Sequence, residues 1–118
     1  MELSKQADIN SNLQKLDSFK NLLPGWDGHD APAIPLEIIT KTRELIDVLP
    51  IQPEIFTTAL KTIQLEFENS QKDHMEIEVN ESDTSEIFIV THKGNETIET
   101  IPADISSIKM RVLLFFEL

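Results

Sequence analysis

At 118 residues the chain is long enough to enclose one hydrophobic core without a covalent staple, and a single domain over 1–118 is expected. It contains no cysteine, which excludes a disulfide scaffold, thiol catalysis and thiolate zinc sites. Twenty-one acidic residues against ten basic ones give a net charge of -11, a surface that repels phosphate backbones and anionic lipid. It also attracts basic protein surfaces.

The opening residues, Met1-Glu2-Leu3-Ser4-Lys5, lack the basic-then-apolar layout of a signal peptide, and no run of apolar residues is long enough for a membrane span. A cytoplasmic protein with no membrane association is expected. Residues 4 to 21 read as a helix, with Ile9, Leu13, Leu16 and Phe19 on one stripe. Ser4 is the expected N-cap; Ser11 with Gln14 offers a later start through a capping box. Pro24-Gly25 ends the segment. A second helix is predicted from Pro35 to Leu49, with Pro35 at the first helical position and Ile38, Thr42, Leu45 and Leu49 buried, widened by Ile39 and Ile46. Pro50 stops it.

Beyond residue 53 the period drops to two. The segment "PEIFTT" is read as a short strand that runs through Ala59-Leu60-Lys61 into a hairpin. In that hairpin "TIQLEFE" and "HMEIEVN" alternate, joined by the five residues Asn69 to Asp73. Pairing Phe67 with Met75, Leu65 with Ile77 and Ile63 with Val79 puts every apolar side chain on one face, and a slip of one residue would expose half of them. That register sets Glu66 opposite Glu76, Gln64 opposite Glu78 and Glu68 opposite His74. "SEIFIVTH" follows as a strand; Phe88 and Val90 suggest cover on its second face as well. A turn at "HKGN", with Gly94 at positive φ, leads to the short strand "ETIETIP". A last helix is predicted from Ala103 to about Glu117, with Ile105, Ile108, Val112 and Phe115 at helical spacing. The expected fold is α+β: an antiparallel sheet of about four or five strands, with two N-terminal helices and one C-terminal helix on one face.

The stretch "LPGWDGHDAPAIP", then "PEIFTT", "IQLEFE" and "MEIEV", resembles a family of small bacterial and phage-borne proteins over roughly residues 20 to 80. That family carries a Trp-Asp-Gly turn followed by Ala and Pro, a Pro-x-Ile segment, and an Ile-Gln-Leu-Glu-aromatic strand. The resemblance implies organisation, including the strand reading of "PEIFTT", and no activity. This chain departs in two places. It has Ala59-Leu60-Lys61 where the family often has a glycine-containing turn, and Phe67 where the aromatic is usually tryptophan.

Four features compete as sites. Asp27, His29 and Asp30 form a donor cluster that a metal-dependent enzyme would use, but the turn dipeptides around it favour a folded corner. In that corner Asp27 accepts backbone N–H groups and Trp26 packs between helices. Glu66, Glu68, Glu76 and Glu78 share one face of the hairpin as a negative plate for a basic partner; as an acid/base pair, Glu66 and Glu76 would need a cleft that a flat hairpin lacks. His29, His74 and His92 are far apart in sequence. Residues 112–118 carry more apolar side chains than one stripe needs, which means burial or self-association. No phosphate-cradling glycine loop or nucleophile elbow is present. The expected function is a non-catalytic acidic module binding a basic protein through Glu66, Glu68, Glu76 and Glu78, with Trp26 and Asp27 as further contact residues. No cofactor, metal or direct nucleic-acid contact is expected. A DNA-mimicking inhibitor, the Asp27/His29/Asp30 enzyme and a homo-oligomer through 112–118 are the alternatives.

Overall fold

The computed structural model describes residues 2–117, with side chains from 8 to 117. Three helices, α1 (Glu2–Phe19), α2 (Leu36–Val48) and α3 (Ile105–Phe116), accompany five strands. The strands are β1 (Glu54–Thr57), β2 (Ile63–Glu68), β3 (His74–Val79), β4 (Thr84–Val90) and β5 (Glu96–Pro102), antiparallel and in sequence order across one sheet. The fold is therefore α+β, an antiparallel meander with two N-terminal helices and one C-terminal helix. Among the described residues no helix is long and apolar enough to cross a membrane.

The β2–β3 register is the one that burial demands. Ile63 faces Val79, Leu65 faces Ile77 and Phe67 faces Met75, and all six are buried. Helix α2 contributes Ile38, Ile39, Thr42, Leu45 and Ile46 to the same core, at the spacing of a 3.6-residue period. Thr42 satisfies its buried hydroxyl by donating to the Ile38 carbonyl. Helix α1 packs on α2 and on the β1 edge, while α3 packs on α2 and β5. Asn12 interrupts the apolar face of α1 for a reason: its Nδ2 donates to the Pro53 carbonyl and to Gln52 Oε1, which fastens α1 to the chain entering β1.

Several boundaries differ from expectation. α1 is already helical at Glu2, so neither Ser4 nor Ser11 stands at its N-cap. Pro35 is the N-cap of α2 rather than its first helical residue; it is extended (ψ 141°), and its carbonyl accepts from Ile38 and Ile39. α3 begins two residues later than expected, because Asp104 caps it by accepting from the Ser107 N–H. Ile105 consequently turns outward. The second face of β4 is partly covered toward its end: Phe88 and Val90 are half-buried, Phe88 with Glu76 and Ile98 opposite it and Val90 with His74 and Glu96.

Candidate functional site

The side of the sheet away from the helices is organised in rows that cross the strands. The central row reads Glu54, Glu66, Glu76, Phe88, Ile98 from β1 to β5. A neighbouring row reads Glu68, His74, Val90, Glu96. The central row is thus graded, with carboxylates on β1 to β3 and the apolar pair Phe88 and Ile98 on β4 and β5. The expected plate of Glu66, Glu68, Glu76 and Glu78 lies on this face, and Glu54 and Glu86 enlarge it. Between the two halves lies a depression of about 200 Å³ lined by Gln64, Glu76, Glu78, Glu86, Phe88 and Ile98. Ile98 is 68% exposed at its rim.

β1 starts opposite Glu66, so Phe67 and Glu68 at the end of β2 run past it. That mismatch opens a notch of about 370 Å³, bordered by Gln52, Glu54, Glu66, Glu68 and His74 and backed by Phe67 and Phe116. The hairpin is therefore not flat at this end. The loop that delivers His74 to the notch is pinned. Asn69 accepts from the Gln71 and Asp73 N–H groups, and its Nδ2 donates to the Phe115 carbonyl of α3.

At the notch the His74 Nε2 lies 3.4 Å from Glu76 Oε1 and 3.9 Å from Glu66 Oε1. Both carboxylates are 27% exposed. Burial raises the Glu66 pKa above the ordinary carboxylate value; the Glu76 charge adds to that rise, and His74 opposes it. Glu78 is engaged differently, as the acceptor of the Thr62 hydroxyl.

The other expected sites sort cleanly. Asp27 Oδ1 accepts from the His29 and Ala31 N–H groups, and the Trp26 indole N–H donates to the Pro32 carbonyl at 2.8 Å. Both residues build the α1–α2 corner, as the turn chemistry implies. Asp27, His29 and Asp30 do not gather as a ligand set; among the described residues, the set whose donor atoms all lie within 4.8 Å is Glu66, His74 and Glu76. His92 pairs instead with Asp73, whose carboxyl is held below the ordinary range by the His92 N–H and ring and by Asn69. In the C-terminal segment Val112 is buried, Phe115 and Phe116 pack on the core edge, and Leu114 is 60% exposed; Leu118 lies outside the described residues.

Sequence reasoning placed the carboxylates on one face but missed the gathering of His74 with Glu66 and Glu76. The signal was present in the register. A residue opposite Glu68 is diagonal to Glu66 on the partner strand and two residues from Glu76 on its own, so long side chains at these positions meet. No protein-family model, no curated protein and no solved structure matches this chain.

Proposed function

We propose that the chain is a non-catalytic binding module that docks a basic protein surface on the open face of its sheet. The observation that carries this reading is the depression between the carboxylates and the apolar strip. Three of its six lining residues are glutamates, and Phe88 and Ile98 form its apolar wall. A lysine or arginine of a partner satisfies both halves at once, with its stem on Phe88 and Ile98 and its charged head among Glu76, Glu78 and Glu86. The net charge of -11 adds long-range steering toward a cationic partner.

A small acidic protein of this kind suits an inhibitor, antitoxin-like or immunity-like role. The bacterial or phage setting rests on the resemblance of the Trp26-Asp27-Gly28 corner and of the strand Ile63-Gln64-Leu65-Glu66-Phe67. A chain without cysteine suits the reducing cytoplasm.

The test begins with the partner captured from host lysate on the immobilised chain, followed by stopped-flow association at several ionic strengths. Glu66→Lys with Glu76→Lys is expected to slow association by about tenfold and to flatten its salt dependence. Glu37→Lys with Glu44→Lys, the same charge change on exposed positions of α2, serves as the control. Equal rates for the two double variants overturn the reading.

A further inference from the structure

We propose that Glu66, His74 and Glu76 form a binding site for one divalent transition-metal ion of the zinc class. The proposal needs no partner protein, although Glu76 is shared with the depression beside Phe88 and Ile98, while Glu66 and His74 border the separate notch at the end of β2.

Three observations converge on it. The first is donor geometry. In a tetrahedral site with metal–ligand bonds of about 2.0–2.2 Å, neighbouring donor atoms stand about 3.3–3.5 Å apart. The His74 Nε2 stands 3.4 Å from Glu76 Oε1 and 3.9 Å from Glu66 Oε1, and all three donor atoms fall within 4.8 Å of one another. Rotation of these partly exposed side chains is what must close the remaining gap, since the backbone positions are set by the β2–β3 ladder.

The second is uncompensated charge. Glu54, Glu66 and Glu76 sit directly opposite one another across three strands. Among the described residues no lysine or arginine is ion-paired with Glu66 or Glu76; the partner of both is His74. The Lys15 ammonium, which reaches toward this edge from α1, rests over the Phe56 ring at 4.8 Å. A divalent cation bound between the two carboxylates removes the repulsion that the register imposes.

The third is access. The notch created by the short β1 borders Glu66 and His74 and leaves room for water or an external donor to complete the coordination sphere. Three protein ligands with open positions describe an exchangeable site, not a closed structural one. The imidazole selects the ion: a nitrogen donor beside two carboxylates favours zinc, cobalt or manganese over magnesium and calcium, which prefer all-oxygen shells.

The experiment uses the full untagged chain, stripped with chelator, titrated with Zn²⁺ by calorimetry and with Co²⁺ followed by NMR of the histidine rings. One Zn²⁺ per chain is expected, bound at least about tenfold more tightly than Mg²⁺. Paramagnetic Co²⁺ is expected to perturb the His74 ring and to leave His29 and His92 unaffected. His74→Gln, Glu66→Gln and Glu76→Gln are each expected to weaken Zn²⁺ binding by about tenfold or more, while Glu44→Gln and His92→Gln stay within about twofold. Circular dichroism on each variant separates loss of a ligand from loss of fold. Absence of Zn²⁺ binding at millimolar concentration, binding that survives His74→Gln in a folded variant, or perturbation centred on His29 or His92 overturns the proposal. The metal titrations are read without a partner and the docking test is run in the presence of chelator, so failure of one reading is distinguishable from failure of the other.

Discussion

Asp104 illustrates how one carboxylate sets an element boundary. Its Oδ1 accepts from the Ser107 N–H at 2.8 Å, its Oδ2 accepts from the Ser107 hydroxyl, and these bonds hold its pKa below the ordinary value of 3.8. A folded-state pKa below the unfolded one means that the stabilisation is present above about pH 4 and is lost as pH falls through the lowered value. Asp104→Ala is therefore expected to lower the thermal midpoint at neutral pH, with the gap between variant and wild type closing under acid titration. Midpoints measured by circular dichroism from neutral to strongly acidic pH check this; a gap that persists at the acid end overturns it. The cap was legible in principle, since aspartate before "ISSI" is a preferred capping residue. Pro102 drew the expected start toward itself, because proline also favours a first turn. At Asp27 the turn dipeptides on both sides favoured a folded corner over a ligand cluster, and the Asx-type bonds of the structure are those of such a corner.

The turn joining β1 to β2 shows a cost carried by an element. Lys61 there adopts φ 66°, in the left-handed region that a β-carbon disfavours. It belongs to Ala59-Leu60-Lys61, a segment without a glycine. Lys61→Gly relieves the strain but loosens the unfolded chain, and the net is expected to be a stabilisation of about 0.5–1 kcal/mol, read as a higher urea midpoint. An unchanged or lower midpoint contradicts the strain account. The strands themselves were readable because alternation over "TIQLEFE" and "HMEIEVN" leaves a single register that buries every apolar side chain. Relative strand length was not readable. Whether β1 reaches Phe67 depends on where α1 holds the chain through Asn12 and Pro53, a contact between residues 41 apart. The notch lies beside the chain that this contact fastens, and the gathering of His74 with Glu66 and Glu76 at it was not read from the sequence even though the carboxylates had been placed on one face.

The charge pattern of the whole molecule makes stability depend on the ionic environment. The chain carries -11, and its central row sets Glu54 against Glu66 and Glu66 against Glu76. Each like-charged cross-strand pair costs a few tenths to about 1 kcal/mol. Raising sodium chloride toward about 0.5 M shortens the screening length to a few ångströms and weakens both this local repulsion and that of the molecule as a whole. The thermal midpoint is expected to rise by roughly 3–6 °C, the scale on which 1 kcal/mol moves a domain of this size. Chloride is the informative salt, because sulfate stabilises folded chains by surface exclusion whatever their charge. Chelator in every sample keeps trace divalent ions from neutralising the row in place of the salt. Glu76→Gln removes the centre of the pattern, so it is expected to start from a higher midpoint in dilute buffer and to gain less from added salt than the wild type. A midpoint that stays flat or falls with sodium chloride would mean that the acidic face is already neutralised from within. The row of carboxylates would then be an ordinary solvated surface with no repulsion for either a cation or a basic partner to relieve.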